Sequence, residues 1–511
     1  MTTSERRSSI SFAPDDANLV CAVEEDRTLT WGELDDRSNR LAASLSDRGV
    51  GPGDFVAIRI RTRLEWPVVS LAIAKVGAAA VAVNFKLTPP EATYILSDCN
   101  VCAAIIDDDD PSALVAAWSD LNLATIVTLD TRVEGADFYE DLISTGSPEP
   151  RPAAEFAPTI IYSSGTTGAP KGAPIGGFQS TPDPTTLMEY GQSVHFDGKA
   201  SAAPGGVLLM SLPMHHSAGP SFTRVTLQGG GLVVFQRRFD AESALRLIEQ
   251  HRITHWVAVP TMLQRILSLP EETLTRHDVS SVQFIGGGAA PFGAHIKERA
   301  IDLFGEVLYE LYGCTEAGML TGATPSDLRE RPASSGRPFR HVDLKIVDED
   351  GTEVPTGTTG EIVVKTPVVI SGYIGRGPLG PDALLPGGFY RTGDVGHIDE
   401  DGYLYIYDRV SDMVIAGGVN IYPAEIEAVL NAHPDVVMAA VVGVPHEELG
   451  EQPVAAIQPR EGSTVTAEDL LSYCDGRLAK YKWPRQFHFI NEMPISPMGK
   501  LLKRELRKEL L

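Results

Sequence analysis

Five cysteines among 511 residues leave little for a disulfide framework or a zinc site to use. The one close pair, Cys99 and Cys102, has CxxC spacing but no second pair and no histidine nearby in sequence. It runs into a strand-like segment, Val101 to Ile106, whereas a thioredoxin-type pair opens a helix. Scattered thiols suit a reducing cytoplasm, the expected location. No apolar run approaches the roughly 18 residues of a membrane helix. The opening residues, MTTSERRSSISFAPDD, lack the apolar core of a secretory leader. No integral membrane segment is therefore expected. Positive charge is also scarce: 43 Lys and Arg against 68 Asp and Glu leave a net charge of −25. That argues against nucleic acid or an anionic membrane as a partner held by bulk electrostatics. It also obliges any anionic substrate to be met by local cations, such as Lys171, Arg409 and Lys500. There is no solenoid-type repeat and no long low-complexity tract.

What is present is concentrated in a few short segments. Tyr162 to Gly172 reads YSSGTTGAPKG. Gly permits positive φ and close approach of the backbone. Backbone N–H groups, hydroxyls and one ammonium can then surround a polyphosphate. A polar surface turn is the plainer alternative, since Gly, Ser and Thr make turns often. The run Thr159-Ile160-Ile161 before it reads as a strand ending in the loop, which favours the phosphate site. It is not a Walker A loop, because Lys171 follows Pro170 and precedes Gly172.

Helix and strand patterns alternate over the first part of the chain. Thr30 to Leu45 reads as a helix with a Thr30–Glu33 capping box and Leu34, Leu41 and Leu45 on one face. Phe55 to Ile60, Ala79 to Val83 and Val101 to Ile106 read as strands, and Val68 to Val76 and Pro90 to Ser97 as helices. This alternation predicts an α/β fold with many parallel strands. Asp107 to Asp110 reads as a solvated strand end. From about Thr352 the texture turns to short strands, and beyond Arg409 lies a compact tail. The tail has a helix over Pro423 to Ala432, a strand over Val436 to Val442 and a basic end.

The loop YSSGTTGAPKG resembles the phosphate loop of the adenylate-forming enzymes: acyl- and aryl-CoA synthetases, peptide-synthetase adenylation domains and luciferases. LYGCTEAG (Leu311 to Gly318), YRTGDVGHIDEDGYLYIYDR (Tyr390 to Arg409), AGGVNIYPAEIE (Ala416 to Glu427) and PMGKLLKRELR (Pro497 to Arg507) follow in the family's order. The layout is closest to acyl-CoA synthetases. The resemblance implies a large multi-sheet N-terminal domain, residues 1–409, that binds AMP and the acyl group. It also implies a small mobile α+β lid, 410–511.

It further implies activation of a carboxylic acid by ATP with Mg²⁺, then transfer to coenzyme A, giving a thioester, AMP and pyrophosphate. In that scheme Ser163, Ser164, Gly165, Thr166, Thr167, Gly168 and Lys171 hold phosphates, and Glu316 holds the metal with Thr315 at the α-phosphate. Gly288, Ala289, Ala290, Tyr312 and Gly313 shape the adenine pocket, and Asp394 takes the ribose hydroxyls with Arg409 beside it. Lys500 is the adenylation lysine. Gly417 and Gly418 line a pantetheine tunnel, and His216 stands at the acyl gate. Metal binding by His215 with His216 is not expected, because neighbours on an extended segment point apart. Ser217 to Arg224, His255 to Met262 and Phe284 to Gly288 are expected to line the acyl pocket. Lys503, Arg504, Arg507 and Lys508 are expected on a solvated helix face. The segment Gly176 to Gly206 departs from the family pattern, and Ser411 stands where many members carry Asp or Lys at the hinge. A carrier protein in place of CoA, a nucleotide sensor without catalysis and a kinase are the competing readings. Lys500, Glu316, Asp394 and Arg409 together argue against the sensor, and the lack of Walker or kinase loops against the kinase. Assembly as a homodimer is left open.

Overall fold

The computed structural model describes every residue except 1–7, 154, 164–169, 176–182, 203, 291, 411, 417–418, 447, 497–500 and 511. The expected elements form with small shifts at their ends. Trp31–Asp47 is helical because Thr30 caps Glu33 N, and the Glu33 carboxylate accepts from Thr30 N at 2.8 Å. Leu34, Leu41 and Leu45 on its inner face are fully buried. Glu65–Lys75 and Pro89–Asp98 are the next helices, each with acidic charge in its first turn.

Two large sheets share one apolar core, which unites Val56 and Ile105 of the first with Val233 and Ile285 of the second. The first has seven strands. In spatial order these are Asp137–Phe138, Thr125–Thr128, Ala103–Ile106, Phe55–Arg59, Ala79–Ala82, Thr159–Ser163 and Lys171–Ile175. All run parallel until the last, which turns back antiparallel with Ser163 opposite Lys171. Ala103–Ile106 is buried at every position, as a strand covered on both faces must be. The second sheet has nine strands. Val20–Glu24, Leu232–Phe235, Val207–Met210, His255–Ala258, Phe284–Gly288 and Leu308–Cys314 lie in parallel at its centre. Gly318–Ala323 folds back on Leu308–Cys314 at one side. A third, antiparallel sheet carries Phe389–Ile398 and Leu404–Arg409. The smaller C-terminal domain has its own sheet, including Val436–His446 and Gly450–Pro459, packed on the helix Pro423–Asn431. Among the described residues no helix is long and apolar enough to cross a membrane.

Two charge expectations are corrected. Asp109 and Asp110 are solvated, but Asp107 is buried. Arg61 and Arg63 reach it at 3.2 Å and Arg237 at 2.9 Å. Arg237 follows a strand of the second sheet, so the cluster braces one sheet against the other. A buried acid in such a run cannot be told from a solvated one by sequence, because the arginines that meet Asp107 all lie far from it in the chain. The basic tail forms the helix Lys503–Leu510, with Arg504 and Lys508 exposed as expected. Lys503 is instead turned inward, its ammonium 2.9 Å from Glu427.

A further buried pair holds the helix Ala294–Phe304 to the second sheet. Lys297 meets the Glu310 carboxylate with both side chains almost wholly buried, and Ser335 donates to Glu310 at 3.0 Å. Lys297→Met should therefore lower unfolding stability by about 3–5 kcal/mol, because it strands a buried carboxylate. Lys297→Met combined with Glu310→Gln should recover most of that loss. Urea unfolding of the three proteins measures both effects.

Candidate functional site

The hairpin of Leu308–Cys314 and Gly318–Ala323 presents the segment LYGCTEAG. Cys314 pairs with Gly318, so Thr315, Glu316 and Ala317 are its three-residue loop. Gly318, which takes the chain out of this loop, sits at φ +76°, where glycine is at no steric cost. A Cβ there would lie 2.6 Å from Val368 Cγ2 and 2.8 Å from the Tyr190 hydroxyl oxygen, so glycine is required on two counts. The Tyr190 hydroxyl accepts from Met319 N at 2.9 Å and donates to Met319 O at 2.8 Å. Tyr190 belongs to the helix Pro184–Val194, inside the segment where the sequence departs from the family pattern.

Glu316 is 9% exposed. Tyr373 donates its hydroxyl to Glu316 Oε1 at 3.0 Å, and Ile370 N donates to the Glu316 carbonyl at 2.8 Å. On the other side of Tyr373, Lys171 Nζ stands 5.2 Å from the ring centroid. Ile374 N donates to Gly172 O at 2.9 Å, which fixes this strap to the hairpin that bears the phosphate-type loop. The residues that bring Lys171 and Glu316 together, Ile370 to Ile374, fall outside every motif the sequence offers. A lone Gly-Tyr pair was the available signal, and it is too common to read. That hairpin differs from the strand-loop-helix arrangement of many phosphate sites, since Lys171–Ile175 is a strand.

Around Glu316 the titratable groups are shifted by burial first and by the carboxylate second. Burial, then the Glu316 carboxylate, pushes the Tyr373 and Tyr390 phenols far up. Burial and then Glu316 push the Cys314 thiol up to about 12. Asp394 adds to the effect on Cys314, which therefore senses both carboxylates.

Asp394 forms the second corner. It is 6% exposed on the strand Phe389–Ile398 and lies directly opposite Arg409 on Leu404–Arg409. Their separation of fifteen residues in sequence is thus the arc of one hairpin. Arg409 Nε is 3.0 Å from Asp394 Oδ1, and Tyr312 donates its hydroxyl to Oδ2 at 2.6 Å. Burial opposes the Arg409 charge, but Asp394, Tyr312, Cys314 and Asp412 together outweigh it and hold the guanidinium above its ordinary value. A carboxylate has about four acceptor positions, so Asp394 retains capacity for two further donors. Gly313 follows Tyr312 on its strand. Gly288 pairs with Leu311, and a Cβ on Gly288 would sit 2.1 Å from Leu311 O. Ala289 after it takes φ +66°, a strained value for alanine at the edge of a site. Ala290 completes this wall.

His216 lies in the turn before the helix Ala218–Gln228. Its ring centroid is 4.5 Å from that of His215, so the two do not diverge as an extended segment would have them. His215 is buried and neither ring nitrogen has a partner among the described residues. Burial, with the His216 charge next, holds it well below its ordinary value and so neutral. The segments expected to line the acyl pocket belong to several elements. Arg224 reaches back to Ala157 O at 3.5 Å, ahead of the strand Thr159–Ser163. His255 and Phe284 begin their strands, whereas Gly288 ends one. Ser164, Gly165, Thr166, Thr167, Gly168, Gly417, Gly418 and Lys500 lie outside the described residues, as does the side chain of Ser163. No cluster of three or more His, Cys, Asp or Glu able to hold a metal occurs among the described residues. A single carboxylate completed by phosphate oxygens is the magnesium mode that Glu316 fits.

The chain matches the family model for AMP-binding enzymes over residues 8–374 and that for the AMP-binding enzyme C-terminal domain over 425–500. It belongs to the AMP-binding enzyme family. It is similar to the indoleacetate–CoA ligase of Aromatoleum aromaticum, with 33% identity over 94% of this chain and 93% of that protein. It is similar at 32% identity to a fatty acid–[acyl-carrier-protein] ligase of Streptomyces coeruleorubidus, over 94% and 92% of the two chains. The ATP-bound structure of MatB from Rhodopseudomonas palustris superposes with a TM-score of 0.84 at 30% identity, covering 97% and 96% of the chains. These are members of one adenylate-forming enzyme group, and the fold described above is theirs.

The thiolate is the reactive form of cysteine. A thiol at about 12 is almost wholly protonated at pH 8. Iodoacetamide should therefore modify Cys314 in the folded protein about 100-fold or more slowly than in the urea-unfolded chain. Peptide mass mapping over a time course gives both rates.

Proposed function

We propose that this AMP-binding enzyme activates a carboxylic acid with ATP to an acyl-adenylate and then transfers the acyl group to coenzyme A. The contact chain from Lys171 across Tyr373 to Glu316 carries this reading. It spans from the phosphate-type loop to a carboxylate in surroundings short of positive charge. Carboxylates are poor electrophiles, and the mixed anhydride with AMP supplies a good leaving group. The protein's task is to hold an in-line geometry at the α-phosphate and to neutralise charge as pyrophosphate departs.

In this reading Ser163 to Gly168 and Lys171 hold the β- and γ-phosphates. Thr315 contacts the α-phosphate and Glu316 holds Mg²⁺. That ion supplies charge neutralisation at the phosphate oxygens. Gly288 to Ala290, Tyr312 and Gly313 enclose the adenine. Asp394 accepts from the ribose hydroxyls while Arg409 holds the carboxylate oriented. Lys500 bridges the acid and the α-phosphate, and His216 borders the acyl group. The segment after Arg409, through Ser411, is the hinge of a lid that begins at about residue 410. After the lid turns, Gly417 and Gly418 leave room for the narrow pantetheine arm. The reducing environment implied by five unpaired thiols, together with ATP and CoA as substrates, supports a cytoplasmic site of action. A carrier protein as acceptor is the second reading, favoured by the near-equal identity to an acyl-carrier-protein ligase.

The deciding experiment is a panel of carboxylic acids with ATP, scored for pyrophosphate release and for thioester with and without CoA. Acid-dependent pyrophosphate release and a CoA-dependent thioester are expected. Gly418→Leu should keep single-turnover adenylate formation and lose thioester formation, with a thermal melt confirming the fold. Thioester made by this variant at the parental rate would remove the tunnel assignment. Adenylate without thioester across the whole panel would transfer the reading to a carrier protein or another nucleophile.

Glu316→Gln keeps the side-chain shape and removes the charge. Its activity should fall, and its magnesium titration should shift to higher concentration. A titration that overlays the parent's would show that Glu316 is not the ligand.

A further inference from the structure

Lys503, absent from every role above, sits at the start of the helix Lys503–Leu510 with 14% of its side chain exposed. Its ammonium is 2.9 Å from Glu427 Oε1 on the helix Pro423–Asn431 and 3.6 Å from Asp408 Oδ2. Asp408 is the residue before Arg409 on the strand Leu404–Arg409, which pairs with the Asp394 strand. The same Asp408 oxygen accepts from Ala424 N at 2.9 Å, in the first turn of Pro423–Asn431. Asp408 thereby meets the positive end of a helix belonging to the C-terminal domain. The other Glu427 contact is internal, from Val441 N at 2.7 Å. The cluster is thus a crossing of the chain junction: one carboxylate upstream of Arg409 is gripped by an ammonium and a helix terminus downstream of it. Asp412 and Arg507 complete the charges that face it. Burial and then mutual repulsion hold the Glu427 carboxyl above its ordinary value despite Lys503, which marks how dependent the group is on that single cation.

Lys503 is also three residues beyond Lys500 in a segment pinned at its base. Leu501 bridges to Ile495, and Leu502 N donates to Pro494 O at 2.8 Å. Leu506, one turn on, is fully buried in the C-terminal domain. Lys500 immediately precedes this pinned base in the sequence.

We infer that Lys503 is a positioning residue: its contacts to Asp408 and Glu427 tie the segment bearing Lys500 to the strand bearing Arg409, and so set the lid for adenylate formation. The inference rests on the adenylation role given to Lys500 above. The Asp408–Lys503–Glu427 cluster supplies charged contacts across the junction that follows Arg409.

The test compares Lys503→Met, Lys503→Arg, Lys503→Met with Glu427→Gln, and Lys500→Ala, using an acid active in the panel above. Acid-dependent ATP–pyrophosphate exchange reports adenylate formation, and thioester made from supplied acyl-adenylate reports the second step. Lys503→Met should lower the maximal exchange rate about tenfold or more with little change in KM for ATP, while the second step is largely kept. Lys503→Arg should restore most of the loss. The paired variant, which leaves no stranded carboxylate in Glu427, should keep the fold and still show the exchange defect. Trypsin cleavage after Arg409, next to exposed Val410, should quicken in Lys503→Met and return to the parental rate in Lys503→Arg. Equal loss of both steps, a paired variant with parental exchange, or unchanged cleavage in Lys503→Met overturns the inference. Selective loss in Lys500→Ala without it in Lys503→Met overturns the positioning role alone. Indiscriminate loss in folded Lys500→Ala overturns the adenylation role and the positioning role together.

Discussion

Burying a carboxylate is costly unless its oxygens find donors, and this protein buries two within a few residues' reach of one strand. Tyr312 and Cys314 stand on that strand, and Glu316 follows in its hairpin loop. Tyr312 donates to Asp394, and Tyr373 donates to Glu316. Among the described residues, only Asp394 of the two has a cation in contact, Arg409. The imbalance is visible in Cys314, whose thiol is raised by burial and then by the two carboxylates. Much of the surrounding architecture serves to hold these acids in place. The positive-φ glycine closes the hairpin loop, and the strap through Tyr373 reaches to Gly172. The Asp394–Arg409 cross-strand pair anchors the third sheet to the second through Tyr312.

The same economy of positive charge recurs elsewhere. With a net charge of −25, several buried acids depend on a specific cation brought from another part of the chain. Asp107 is met by arginines from two sheets, Glu310 by Lys297, and Glu427 with Asp408 by Lys503. Each contact joins separate parts of the fold. Such pairs add little net stability when exchanged for apolar groups, but losing one partner is expensive. They therefore specify how sheets and domains sit against one another more than they hold any one of them folded.

Elements with strong local signals were legible in the sequence. The Thr30–Glu33 capping box and the Leu34, Leu41 and Leu45 face marked a helix that the structure contains. The alternation of apolar runs and helices gave parallel sheets. The fifteen-residue interval from Asp394 to Arg409 is the arc of a hairpin that sets them opposite each other, which the spacing alone does not disclose. Less legible were features whose causes lie far off in the chain. Asp107 was read as solvated because its neighbours Asp109 and Asp110 are. Lys503 was read as solvated because a basic helix usually is. His215 and His216 were placed apart because an extended backbone was assumed where a turn forms.

Local chemistry and motif order suffice to identify the family and to single out candidate residues, because glycine loops, caps and paired acids act over a few residues. They cannot say which distant side chain meets which. Tyr373 stands between Lys171 and Glu316, Tyr190 closes on Met319, and Lys503 spans the junction to Asp408 only because three sheets and a small C-terminal domain come together. Coulombic and hydrogen-bond contacts depend on distance in space, and that distance is set by the packing of the whole chain.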